Sequence, residues 1–552
     1  MRIKSAFVVA GLLLSALGSH ADVSVPAIFS GNMVLQQNAK IPVWGWADPG
    51  ELVQVSLGNS QLRTKADAKG NWRVEFKPLP ASTTPITMAI GGRNAIQMDG
   101  ILVGDVWVAA GDINMTYRVM DLPNKGQDVI AQANDPLLHF YEATPVPAIR
   151  PVMVGNGYWH PPAQPWIPNT SAVAYFFGQQ LRQKVKCPIG VIALACGVPI
   201  QSFMSKEALG KIPGSEKALA DIATREAVFP HDPAQQKAAM ADFGKRMHDW
   251  DQNTNHPWID AENAWAKARD AAIVAKQPVP PEPPPRADPP KNPNGEVNEV
   301  TTLYNGMVAP IAGLPICGVV WYGTGNPGDT QPQAEALLRG LIADWRGAWK
   351  NDFPFLIVDA ANFGQRAPNP TDGWWQEARG AQIAVATSTP KAGLAQAVDI
   401  GTGANDGPPD KLDVGKRLTA TALHVAYGQN VPYEGPRFAS MAVEGNKVRV
   451  TYANPEVGLV LGASPYISTD PANDNPALPL NEPLGFEIAG ADKKWANAKA
   501  QIDGATMLVW SDAVANPVAV RYAWESNPPV NLYSKDGFPA EPFRTQDWKV
   551  NP

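Results

Sequence analysis

Beyond position 100 the chain alternates between two hydrophobic patterns. Short, almost unbroken apolar runs recur: ILVGDVWVAAG (101–111), CPIGVIALACG (187–197), LPICGVVWYGTG (314–325) and DFPFLIVDAANFG (352–364). Each ends in glycine or leads into a Gly/Asn turn. Between them lie stretches whose apolar residues recur every three or four positions, such as SAVAYFFGQQLRQK (171–184) and AEALLRGLIADWRGAW (334–349). Continuous apolar runs fit strands buried on both faces, and the intervening spacing fits helices. Together they predict a doubly wound parallel α/β domain over 103–430. Ligands of such sheets bind beyond the carboxyl ends of the strands, here the glycine-containing turns.

The two ends of the chain follow a period of two. IPVWGWADPGELVQVSLG (41–58) and ADAKGNWRVEFKPLP (66–80) alternate apolar and polar residues around Asp-Pro-Gly and Lys-Gly-Asn turns. They predict an antiparallel module over 22–102. NKVRVTYANP (446–455) and ATMLVWSDAVANPVAVRYAW (505–524) predict a second one over 431–552. Within the central region, 206–295 reads as an insertion. Charged helical sequence is followed by the proline-rich connector VPPEPPPRADPPKNPNG (279–295), extended rather than folded. The simplest expectation is an insertion packed on the flank of the domain.

Composition narrows the classes. Of 552 residues, 45% are apolar and 18% charged, enough for a large core. The first residues, MRIKSAFVVAGLLLSALGSHA, combine basic Arg2 and Lys4 with an apolar run too short to span a bilayer and a small-x-small site at Ser19 and Ala21. A secretory leader cleaved after Ala21 is expected, and with it a secreted or periplasmic location. No later stretch is apolar and long enough for a membrane span. The net charge is −6 with no basic runs, which argues against nucleic acid. Cys187, Cys196 and Cys317 are too few and odd in number for a disulfide framework. No metal-ligand spacing or cofactor motif occurs, so neither is expected.

The turn ends, taken in order, resemble the sialate O-acetylesterase family, carbohydrate esterases of the SGNH-hydrolase type. LQQNAKIPVWGWADPGE resembles the family's opening hairpin, and GDVWVAAGDINM its nucleophile block, usually ending Gly-Gln-Ser-Asn-Met. SAVAYFFGQQL and IGVIALACGVPIQSFMS are similar to its helix and second block, and LYNGMVAPIAGLPICGVVWYGTGN to its third, usually Trp-Tyr-Gln-Gly-Glu-Ser-Asn. DGPPDKLDVGKRL resembles the final block, usually Asp-Ile-His-Pro-x-Asn-Lys, and NPVAVRYAWESNPPVNLYSKDGFPAEPFRT the C-terminal strand pair. The resemblance implies an SGNH-like doubly wound parallel sheet with antiparallel β-sandwich modules at both ends. It also implies a glycan or oligosaccharide as partner.

The resemblance implies a Ser-His-Asp triad as well, and here the chain departs from it. Ile113 stands at the serine position, Gly407 at the histidine, Asn405 at the aspartate, and the third-block glutamate falls near Gly325. Isoleucine has no atom that can attack a carbonyl, so serine-type ester hydrolysis is excluded by chemistry. Gly111, Asn114 and Met115 keep the form of the turn. Gly197 keeps a backbone N–H where the family builds part of its oxyanion hole, and Asn326 sits near the third-block asparagine. Trp321, Tyr322, Trp374 and Trp375 are candidates to line the cleft, with core packing an equal alternative.

Two carboxylates adjoin the lost positions: Asp112 beside Ile113 and Asp406 beside Gly407. Paired carboxylates across a cleft are what glycoside hydrolysis requires. This makes Asp112 and Asp406 the candidate catalytic pair, with Asp329 and Asp410 in reserve. Locally, Asp112 also suits a helix N-cap and Asp406 a turn. Three functions follow in order of expectation: a hydrolase cutting glycosidic bonds with carboxylates, a non-catalytic glycan-binding relative, and an esterase with an atypical nucleophile such as Cys196.

Overall fold

The computed structural model describes residues 22–123, 126–403, 407, 410–465, 477–546 and 548. The expected leader, Asn405 and Asp406 lie outside the described residues.

The apolar runs form a seven-stranded central array. In chain order its strands are β1 (Ala95–Gly111), β2 (Leu138–Ala143), β3 (Gly157–His160), β4 (Ile189–Ala195), β5 (Gly318–Tyr322), β6 (Phe355–Val358) and β7 (Ala392–Ala395). They lie side by side as β7-β6-β5-β1-β4-β2-β3. Every neighbouring pair is parallel except β2 and β3. β1 is therefore central, with β4 and β5 at its sides, and their three carboxyl ends converge. From Ile101 to Gly111 every residue of β1 is buried, as its unbroken apolar run requires.

Helices cover both faces. α1 (Ala172–Val185) and α2 (Lys411–Val425) pack on one face, through Phe177, Leu181, Leu418 and Ala422. Gly415 permits their close approach, since a Cβ there would lie 2.6 Å from Cβ of Phe176. The helices Gln331–Trp349 and Trp374–Ser388 cover the other face, the first through Leu337, Leu341 and Trp345. Three of these helices begin where the sequence supplies a cap: Ser171 accepts from the Ala174 N–H, Thr330 and Gln333 form a capping box, and Asp410 accepts from the Asp413 N–H. Among the described residues no helix is long and apolar enough to cross a membrane.

The end modules are antiparallel. In the first, Ile41–Trp46 pairs with Asn71–Phe76, and Leu52–Leu57 pairs with Ser60–Lys65 and Ser82–Gly91. Ser82–Gly91 also pairs with the first part of β1, so one continuous strand serves both the module and the central sheet. The C-terminal module has two four-stranded antiparallel sheets around a core of Val448, Val450, Ile488, Met507, Val509 and Val520. It is pinned to the sheet by Arg379, which donates to the carbonyls of Ala360, Ala361, Glu525 and Ser526.

The first part of the insertion packs on the flank as expected, through Leu209 and Ile222, and from Pro233 onward it departs from that expectation. Pro233–Trp250, a π-turn at Asp251–Asn255 and His256–Ala275 form one continuous helix, about 60 Å long at 1.5 Å per residue. Among its described residues only Ala272 is buried. Its half-buried stripe faces the proline-rich segment, which runs back antiparallel along it. Three indoles hold that strap: Trp250, Trp258 and Trp265 donate Nε1–H to the carbonyls of Ala287, Pro284 and Pro280 at 3.1, 2.9 and 3.0 Å. Arg286 inserts between the first two rings, 5.3 and 5.4 Å from their centroids. A polyproline strap leaves its carbonyls without internal partners, so ring N–H groups at these intervals can satisfy them. Trp250 and Trp258 are eight residues apart, one more than Trp258 and Trp265. The π-turn between them takes up the extra residue and keeps all three rings on one face.

Candidate functional site

The site is built around the turn at the carboxyl end of β1. Gly111 has φ +153°, and a Cβ there would lie 2.0 Å from the Tyr322 carbonyl. Only glycine fits so close to β5. The turn is stitched to both neighbours: the Asp112 N–H donates to Tyr322 O at 3.0 Å, and the Cys196 N–H donates to Gly111 O at 3.1 Å. Ile113 then opens the one-turn helix Ile113–Thr116 and projects outward, 51% exposed. Gly197, also exposed, lies opposite; a Cβ on it would be 3.8 Å from the Ile113 Cβ. A tight glycine turn at the end of the central parallel strand is thus present, with the hydrocarbon of Ile113 at its tip.

Asp112 points inward. One carboxylate oxygen accepts the Asn114 N–H at 3.0 Å, capping the helical turn. The other accepts both the N–H and the hydroxyl of Thr324, at 2.7 and 2.9 Å. Burial pushes this carboxyl above the usual range, and the Thr324 and Asn114 bonds with the Lys411 charge oppose that. Asp112, the expected catalytic acid, braces the β1 and β5 turns. Its expected partner, Asp406, lies outside the described residues.

Sequence reasoning missed Thr324 and Lys411. Lys411 is fully buried; its Nζ donates to Asn114 Oδ1 at 3.0 Å and lies 5.1 Å from the ring centroids of both Tyr117 and Tyr322. A lysine directly after Asp410, at the first position of a helix, was the available signal. Asp410 itself caps α2 through the Asp413 N–H, and burial beside Asp413 raises it to about 7.

Beside the turn, a cleft of about 300 Å³ opens to solvent, lined by Ile200, Trp321, Thr324, Gly325, Asp329 and Gln382 among others. Asn326 Nδ2 donates to Asp329 Oδ2 at 2.9 Å and to Gln201 Oε1 at 3.1 Å. Its Oδ1 is buried without a hydrogen-bond partner among the described residues. Burial raises the Asp329 carboxyl against the pull of Asn326. The aromatics divide. Trp321 is 2% exposed, packed edge-on to Phe203 and Trp345, and shows the cleft only a margin. Tyr322 and Trp375 belong to the core: Tyr322 is fully buried on β5, and Trp375 donates to the Ala361 carbonyl at 2.7 Å. Trp374 is half-buried, 5.0 Å from Trp375. Alternation along a buried strand puts adjacent aromatics on opposite faces, so Trp321 and Tyr322 cannot both face one cleft. The Cys196 thiol is half-buried, and burial raises it although the Gly197 N–H opposes this. It stays a protonated thiol near neutral pH, a poor nucleophile.

No protein-family profile matches the chain. It is 24% identical to the sialate O-acetylesterase of Rattus norvegicus over 443 residues, 73% of this chain and 74% of the relative. With the Mus musculus sialate O-acetylesterase it shares 22% identity over 563 residues, 93% of this chain and 92% of the relative. Among solved structures, a carbohydrate acetylesterase from Xanthomonas citri superimposes with a TM-score of 0.73 at 27% identity, covering 96% of this chain and 100% of that one. Over most of its length the chain is a homologue of the sialate O-acetylesterases, and its fold matches that of a solved carbohydrate acetylesterase.

Proposed function

We propose that this protein binds a glycan, O-acetylated or otherwise, on an acetylesterase scaffold whose hydroxyl-attack step has been lost. The observation that carries this reading is Ile113: half-exposed at the tip of an intact turn, opposite Gly197, where an attacking oxygen would have to stand. A branched alkyl group there can contact an acyl or sugar methyl but cannot attack it. The two chemistries that would restore catalysis lack support. The carboxylate-pair hydrolysis first expected needs Asp112 free to trade a proton, yet both its oxygens are engaged by Asn114 and Thr324. A thiol mechanism needs a depressed Cys196, and burial raises it. A polar group suited to sugar hydroxyls remains in the cleft at Asp329, held by Asn326, which also bonds Gln201. Export, expected from the leader, would bring the protein to extracytoplasmic glycans.

The test is calorimetric titration with O-acetylated and deacetylated oligosaccharides, with acetate and new reducing ends assayed in the same mixtures at stoichiometric protein. Saturable heat with neither product supports binding. Reducing ends would restore the glycosidase reading. Acetate release abolished by Thr324→Val would instead move catalysis to the hydroxyl that donates to Asp112.

A further inference from the structure

A pair of exposed rings stands at the edge of the central sheet, outside the cleft. Tyr158 on β3 and Trp166 in the following loop are each 42% exposed, their centroids 5.0 Å apart and planes inclined at 53°. Exposed tryptophan and tyrosine in contact are costly to leave in water, and in this chain most tryptophans are buried.

Beneath the rings the floor is polar. His160 packs 5.7 Å from Tyr158 and 5.9 Å from Trp166, and its side chain is 2% exposed. Its Nε2 lies 3.7 Å from Oε1 of Glu142, too far for a hydrogen bond. Neither atom has a hydrogen-bond partner among the described residues. The Glu142 side chain keeps 23% of its surface exposed, so the carboxylate sits at the boundary between floor and solvent. Two inclined, exposed aromatic faces beside a partly exposed glutamate match a pyranose, which has a C–H face and a rim of hydroxyl donors.

The strand register fixes where the pair lies relative to the β1 turn. Tyr158 is paired with Glu142, Glu142 with Ala193, and Ala193 with Ala109. The rings are therefore level with a residue two before Gly111 and three strands to the side, roughly 14 Å at about 4.8 Å per strand. Exposed apolar side chains continue from the turn towards them. Ile113 is 51% exposed and Met120 48%, and the turn carrying Met120 is tied to the loop after Trp166 by the Val119 N–H, which donates to Thr170 O at 3.0 Å.

We infer that Tyr158 and Trp166 form a second carbohydrate subsite, stacking a pyranose of the same glycan chain whose other end lies over the β1 turn at Ile113. This rests on the glycan-binding reading and adds to it that the ligand is an oligosaccharide, since the platform and the β1 turn, three strands apart or roughly 14 Å, are separated by several sugar units.

The experiment uses the full chain and its Trp166→Ala, Tyr158→Ala and Trp166→Phe variants. Affinity is measured for cellohexaose, xylohexaose and maltohexaose and for the matching disaccharides, with melting temperature as the folding control. For the hexaose that wild type binds, Trp166→Ala should weaken binding roughly tenfold, the scale of one exposed aromatic face. Disaccharide affinity should be unchanged, and Trp166→Phe should recover most of the loss. Hexaose affinity equal in wild type and Trp166→Ala overturns the platform while leaving glycan binding intact. Failure of wild type to bind any of the six saccharides overturns both. Concentration-dependent self-association that Trp166→Ala removes, with saccharide affinity unaltered, also overturns it and makes the patch a contact between copies.

Discussion

Thr324 gives both its donors to one oxygen of Asp112, the backbone N–H at 2.7 Å and the hydroxyl at 2.9 Å. That contact joins the turn after β1 to the turn after β5, so the carboxylate holds together the two loops that frame the site. Asp112→Ala would strand the buried Thr324 and Asn114 N–H groups at once. A loss of about 3 kcal/mol is expected. Thr324→Val removes only the hydroxyl and should cost about 1 kcal/mol. Urea unfolding of the two variants measures both, and an Asp112→Ala protein as stable as wild type would contradict the brace.

Ile113 makes the opposite prediction. Half its surface is in solvent, so Ile113→Ser should change stability by less than about 1 kcal/mol. It should also release no acetate from acetylated sugars, because a serine hydroxyl needs a base and position 407 is glycine. Acetate appearing with Ile113→Ser alone would mean that some other side chain serves as the proton acceptor. Ile113→Ser combined with Gly407→His is the minimal rebuild, and any activity should require both changes.

Much of this fold was legible in the chain because burial leaves a simple mark. Strands covered on both faces read as unbroken apolar runs, and β1, β4, β5 and β6 fall where those runs are. The β1 turn was legible too, through the glycine that no other residue can replace. What failed was side-chain direction. Asp112 reads equally as an acid facing a cleft and as a cap facing inward, and the choice depends on Thr324, 212 positions away. Tyr322 and Trp375 were indistinguishable from cleft aromatics until the strand and helix faces were fixed. The strap was hidden for another reason: Trp250, Trp258 and Trp265 carry no helical or strand period that announces a polyproline partner, and the π-turn disguises their common face.

Asp359 gives the protein a pH-dependent stability from outside the site. It is fully buried after β6, one oxygen bonded by the Ala397 N–H and the other without a hydrogen-bond partner among the described residues. Burial raises its carboxyl to about 7, with Arg379 opposing. A folded-state value above the unfolded one near 4 means that the folded state holds the proton more tightly. Its contribution to stability is fully present below pH 4 and is lost as pH rises through about 7. Asp359→Asn should flatten the fall in melting temperature between pH 5 and pH 8. An identical slope in wild type and variant would assign that dependence to other groups.

The long helix and its strap should open independently of the domain, because the helix spends its half-buried stripe on the strap. Each indole holds one carbonyl of the polyproline segment, Arg286 adds a bond to Asn255, and Trp258 occupies the middle position, sharing Arg286 with Trp250. Trp258→Ala removes a hydrogen bond and the ring under the guanidinium, together about 1–2 kcal/mol of local closure. Proteolysis through local opening should then accelerate roughly five- to thirtyfold. Tryptic cleavage after Arg286 reports this directly, while the main thermal transition should stay where it is in wild type. Trp258→Phe keeps the ring and loses only the Nε1 donor, so it should fall between the two. Unchanged cleavage in Trp258→Ala would mean that the strap is held by something other than the indole ladder, and a lowered main transition would mean that the arm is part of the cooperative core.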